Sequence, residues 1–232
     1  MEATTNGHTD TVRVLLANGA DVDIDGISGT ALMTACRKGH TEIVRVLLEY
    51  DADNYIQNEH VWIALTYASM DNRTETVRVL LEHGVDPNFP CDNGDTSLMW
   101  ASMEGHTDTV RVLVEHENTD VNIQDDQDRT PLMLASMNGH TDTVRVLLNY
   151  DADPFMQDGV GKSALNVAKN PAIKALLESQ IRWLRRKSLL MVLSENGFLR
   201  SQQYTTSTAT APLTTSSVLS NEELVRQIFS YI

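Results

Sequence analysis

An all-α repeat protein, a solenoid of helix-turn-helix units joined by turn or hairpin fingers, is the fold this sequence predicts. Three observations predict it. The nonapeptide Gly-His-Thr-Asp-Thr-Val-Arg-Val-Leu occurs at 7–15, 105–113 and 139–147, with related versions beginning at Gly39 and Asn72. Its arginine falls at Arg13, Arg45, Arg78, Arg111 and Arg145, at intervals of 32, 33, 33 and 34 residues. Within each copy the apolar residues keep helical spacing, as Val144, Leu147 and Leu148 do. A fixed period near 33 residues marks an array whose units bury their apolar faces only against one another.

Each period opens with a threonine able to cap a first helix, at Thr30, Thr96 and Thr130, and Pro131 occupies a first helical position, where no N–H is needed. That helix stops at Gly39, Gly105 and Gly139. The next threonine starts a second helix with Asp or Glu near its positive end. In the first unit Val12, Leu15 and Leu16 form the stripe to be buried. A turn-rich finger follows, as in Gly84-Val85-Asp86-Pro87-Asn88.

With Thr-Pro-Leu at one turn and Gly-His at the other, the unit resembles the ankyrin repeat over residues 1–178. The resemblance implies six stacked units over 1–179: a partial one ending near Ile27, full ones at 28–61, 62–94, 95–128 and 129–161, and a degenerate one from Lys162 to Ser179. It also implies a binding role. Some positions depart from the pattern. Met33, Met99 and Met133 replace the usual His, which removes a Thr–His hydrogen bond. Ile63 replaces a capping Thr, so the third inner helix is expected to start poorly. Asp51 and Asp151 stand where Gly ends a helix. Aligning Ala3 with Ala135 places Met1 on Met133, so the first unit lacks its opening; either apolar surface is exposed there or the natural chain continues upstream.

Hydrophobic residues make up 41% of the 232 residues and aromatics only 6%, which suits a core of Ala, Val, Leu, Ile and Met between closely packed helices. The net charge of −14 divides into −17 on 1–170, +4 on 171–200 and −1 on 201–232, so the array repels nucleic acid and anionic membranes. Cys36 and Cys91 are too few for a disulfide framework or a zinc cluster, Met1–Asn6 has no signal-peptide pattern, and the longest apolar run is Leu189–Leu193. These features predict a soluble, intracellular, cytoplasmic monomer with no stable membrane association.

No nucleophile, phosphate-loop, zinc-protease or dinucleotide motif occurs, so no catalytic residue, metal ligand or cofactor is assigned. His8, His40, His106 and His140 recur once per unit, too far apart to share a metal ion, and read as structural. Each repeat arginine follows an acid by three residues (Asp10, Glu42, Glu75, Asp108, Asp142), which predicts an ion pair within each helix. Asp125-Asp126-Gln127-Asp128 reads as a solvated finger tip.

The expected activity is binding of a protein partner on the concave groove and fingers. The pair before each turn Gly faces that groove, giving Arg37 and Lys38, then Met70, Met103 and Met137 near Trp100 and Tyr67; Ile56, His60, Phe89 and Pro90 add finger contacts. The same Met and aromatic residues also suit packing between units. Beyond the array, 180–200 reads as a basic helix expected to cap it, 201–218 as a Ser/Thr-rich linker and 219–232 as an amphipathic helix with Leu224, Ile228 and Ile232 in line. That last helix resembles the opening helix of an F-box, which implies an alternative role as substrate-recruiting adaptor of a cullin-type ubiquitin ligase.

Overall fold

The computed structural model describes residues 1–195 except 23, 25, 27, 28 and 51–58. The expected linker 201–218, the terminal helix 219–232 and the finger residue Ile56 lie outside the described residues, as does Asp51. Two compact units divide the chain, Met1–Leu177 and Glu178–Ile232.

The first unit is the all-α array. Its inner layer is α1 (Glu2–Thr5), α3 (Ala31–Lys38), α5 (Glu59–Met70), α7 (Ser97–Glu104), α9 (Pro131–Asn138) and α11 (Ala164–Val167), each packed on the next. The outer layer is α2 (Thr9–Ala17), α4 (Thr41–Tyr50), α6 (Thr74–Glu82), α8 (Thr107–Glu115) and α10 (Thr141–Asn149). Helix α12 (Pro171–Glu195) runs unbroken through residue 179, and its Ile173 and Leu177 are buried in the array core. Among the described residues the fingers are turns without strands, with one isolated bridge between Gly26 and Gly29.

Sequence sets each inner helix locally. The Thr30, Thr96 and Thr130 hydroxyls accept from the backbone N–H of Met33, Met99 and Met133 at 3.3–3.4 Å. Gly39, Gly105 and Gly139 end the helices in the left-handed region. Met99 takes over part of the missing His role: its Sδ accepts the Thr96 N–H at 3.5 Å. Met33, Met99 and Met133 are all buried.

The third inner helix departs from expectation. It begins at Glu59, four residues before Ile63, and runs for 12 residues against eight in α3, α7 and α9. With no Thr at 63 to fix an N-cap, the apolar run Val61-Trp62-Ile63-Ala64-Leu65 contains nothing that stops a helix, and the turn is added upstream. His60 is therefore on a helix and not on a finger.

The first outer helix also corrects its expectation. Val12 is buried, but Leu15 is 48% exposed, whereas Leu47, at the same phase of the next repeat, is 1% exposed. A core leucine in this architecture is buried by units on both sides, and among the described residues the outer helix packed on α2 is α4.

Threonines join the outer helices. The Thr41 hydroxyl lies 2.9 Å from that of Thr76, Thr74 lies 2.8 Å from Thr109, and Thr107 lies 2.9 Å from Thr143. Thr76, Thr109 and Thr143 are buried, so these pairs satisfy hydroxyls that water does not reach. Asn170 ends the series by donating to Thr141 at 3.3 Å.

Of the second unit, residues 178–195 continue α12. Arg182 pairs with Glu178 at 4.0 Å, and the Lys187 ammonium sits 5.0 Å from the centroid of the exposed Trp183 ring.

Candidate functional site

The predicted groove row begins with Arg37, Met70, Met103 and Met137, each two residues before the helix-ending turn. Backbone bridges hold that row in register. His40 Nε2 lies 3.3 Å from the Thr5 carbonyl, Arg73 Nε donates to Arg37 O at 2.9 Å, and His106 and His140 reach Met70 O and Met103 O, each at 2.9 Å. His40, His106 and His140 thus act as expected of structural residues. Arg73 stands at the histidine position of its repeat and serves the same purpose, because its Nε–H matches an imidazole N–H as a donor.

This bridge explains why glycine precedes it. A Cβ on Gly105 would stand 2.4 Å from His140 Nδ1, and one on Gly39 would stand 2.8 Å from Arg73 Cδ. Asn72 is the exception, with φ 55°; its Oδ1 accepts from the Thr109 hydroxyl at 2.9 Å, which offsets the left-handed backbone.

Met70, Met103, Met137, Trp100 and Tyr67 are half-buried, while Arg37, Lys38 and Pro90 are exposed. Arg37 lies over the Tyr67 ring, 5.2 Å from its centroid, and its Nε is 3.8 Å from Asp71 Oδ2. Phe89 stacks on Trp62 with centroids 3.6 Å apart. Trp62 escaped the sequence reading because it was placed at a repeat boundary; the added helical turn brings it against the finger.

The fingers form their own hydrogen-bonded series. Asn88 Nδ2 donates to Asn118 O at 2.6 Å and its Oδ1 accepts from Asp120 N at 2.7 Å. Asn122 repeats this one unit later with Asp151 O and Asp153 N. Asp151 has φ 61°, the left-handed conformation expected in place of Gly.

Two electrostatic expectations need correction. Asp126, Gln127 and Asp128 are exposed as expected of a finger tip, but Asp125 is 5% exposed: it accepts from Gln127 N, Arg129 N and Arg129 Nε, the last at 2.6 Å. Its carboxylate closes the finger turn as an internal cap. Burial, followed by the charge of Asp125, pushes the nearby Asp95 carboxyl above its ordinary range. Arg13 and Arg45, moreover, pair between repeats. Arg13 reaches Glu42 at 3.1 Å and Glu49 at 3.9 Å; Arg45 reaches Glu75 at 3.8 Å and Glu82 at 3.7 Å. Arg78 keeps an i,i+3 pair, with Glu75 at 3.6 Å. For Arg13 and Arg45 the stacked neighbouring helix offers two carboxylates, which the same-helix acid alone does not.

Among the described residues there is no group of three or more His, Cys, Asp or Glu placed to hold a metal ion, and no helix is long and apolar enough to cross a membrane. Burial raises the Cys36 thiol far above its ordinary range, which makes it a core group.

The family model for ankyrin repeats (3 copies) matches four overlapping stretches, 1–58, 54–125, 87–158 and 116–187. Among solved structures, the human ASB11 ankyrin repeat domain is 28% identical, with a TM-score of 0.69 over 77% of this chain and 80% of that one. The ankyrin repeat domain of Bcl-3, described as a unique member of the IκB protein family, is 27% identical, with a TM-score of 0.69 over 76% of this chain and 79% of that one. Comparison with curated proteins returns no match.

Proposed function

This chain belongs to the ankyrin repeat family, whose repeats are protein–protein interaction modules, and on that premise we propose that it is a non-enzymatic scaffold binding a protein partner along its groove and fingers. The observation that carries the reading is the row itself. Arg37, Met70 and Met103 offer side chains at one per repeat while their carbonyls are fixed by Arg73, His106 and His140. Spacing is thus preset, and a partner does not have to meet the entropy of ordering it. Polarisable Met side chains, with Trp100 and the Trp62–Phe89 stack, supply adaptable apolar contact. Lys38 and Pro90 extend the surface, and Ile56 belongs to it on sequence grounds. Binding proceeds by shape and charge complementarity, with no bond made or broken. The acidic array favours a protein partner over nucleic acid, and a cytoplasmic monomer suits this role.

Cross-linking in native extract, followed by identification of the captured protein, tests the proposal. Changing Met70, Met103 and Met137 together to Asp is expected to abolish capture with helical circular dichroism unchanged; unaltered capture would refute the groove. The adaptor alternative rests on the F-box-like stretch 219–232. It predicts that a cullin-ligase component is captured by the full chain and lost from a chain ending at Arg200.

A further inference from the structure

An open groove of about 490 Å³ lies across the first three repeats, lined by Thr5, Thr34, Arg37, Lys38, Asp71 and Arg73. Three cations against one acid is a local reversal in a region, residues 1–170, that carries −17. Two of the cations are positioned by the fold: Arg37 by the Tyr67 ring and Asp71, and Arg73 by its bond to the Arg37 carbonyl. Lys38 stands exposed at the rim.

We propose that this groove is an anchor for a carboxylate side chain in an acidic segment of the protein partner. The inference rests on the groove reading above and names the chemistry of what binds there. Lys38 and Arg37 supply charge-assisted donors at the rim. Asp71 leaves a net charge of +2, which attracts the clustered carboxylates of an acidic segment. A nucleic-acid strand would need a continuous basic track, and the acidic array provides none.

The test uses the full chain and acetylated hexaglutamate as probe, at about 0.15 M salt to screen weak surface attraction. Nuclear magnetic resonance is expected to show saturable shifts of the Thr34 methyl, Arg37 Nε and Arg73 Nε signals, with the outer-face Arg13 and Arg45 still. Lys38→Glu should weaken binding at least about tenfold. No shift up to about 10 mM probe, shifts spread over Arg13 and Arg45, equal affinity of Lys38→Glu, or tighter binding of inorganic phosphate at the same signals would each overturn the anchor. With the captured partner the two readings separate. Capture lost in the Met triple variant but kept in Lys38→Glu defeats the anchor and leaves the groove; capture kept in both defeats the groove.

Discussion

His140 Nε2 lies 2.9 Å from the carbonyl oxygen of Met103, and that single bond ties the last helical turn of one repeat to the inter-helix turn of the next. Gly105 must be small for the ring to pass. Gly105→Ala therefore incurs two costs: the left-handed backbone at φ 73°, about 1–2 kcal/mol, and a contact at 2.4 Å that displaces His140. Gly139→Ala has only the first, since nothing lies within 4 Å of its Cβ position. Urea denaturation should show Gly105→Ala losing about 2–4 kcal/mol and Gly139→Ala about 1–2 kcal/mol. Adding His140→Ala should cost less in the Gly105→Ala background than in wild type; full additivity would refute the steric argument.

One helix position back from the row, Ser69, Ser102 and Ser136 are fully buried, and their hydroxyls have no partner among the described residues. Cys36 holds the same phase in the second repeat. Replacing Ser102 by Ala removes a desolvated polar group and leaves little void, so the melting temperature should hold or rise, by up to about 1 kcal/mol of stability. Cys36→Ser does the reverse and should destabilise. A loss above about 1 kcal/mol in Ser102→Ala would reveal a partner for that hydroxyl.

The Cys36 thiol makes a pH prediction too. Burial raises its folded pKa, so its contribution to stability is complete below the ordinary thiol value of about 8.5 and is lost as pH rises toward the folded value. A thiol reagent at pH 8 should modify the half-buried Cys91 in the native protein and Cys36 only after unfolding. Native-state modification of Cys36 at the Cys91 rate would contradict this.

The repeat period and helix termini were legible because they depend on local chemistry: Thr30, Thr96 and Thr130 cap, and Gly39, Gly105 and Gly139 stop. What was not legible depends on the neighbouring repeat. Arg13 was expected to pair with Asp10 and instead meets Glu42 and Glu49, because stacking decides which carboxylate is within reach. Asp125 looked like a solvated acid until the finger turn closed around it. The groove positions Arg37, Met70 and Met103 follow from register alone, whereas the Trp62–Phe89 stack required knowing that α5 begins at Glu59.

Asp95 carries a pH dependence that Asp125 helps to set. Asp95 has a raised folded pKa, so its favourable contribution is present below about 3.9 and is lost as pH rises through the folded value; at pH 7 its charge opposes folding. Asp95→Asn should therefore stabilise the protein at pH 7, by less than about 1 kcal/mol because solvent screens a half-buried group, and the gain should vanish near pH 3. Asp125→Ala should lose about 2–4 kcal/mol at pH 7, since it strips three donors of their acceptor and leaves Arg129 without its partner. In Asp125→Ala the raised pKa of Asp95 should fall toward the ordinary value, though burial, its largest cause, remains. Titration of the Asp95 carboxyl by carbon-detected magnetic resonance in both proteins reads this directly, and an unchanged or higher value in the variant would remove Asp125 from the cause.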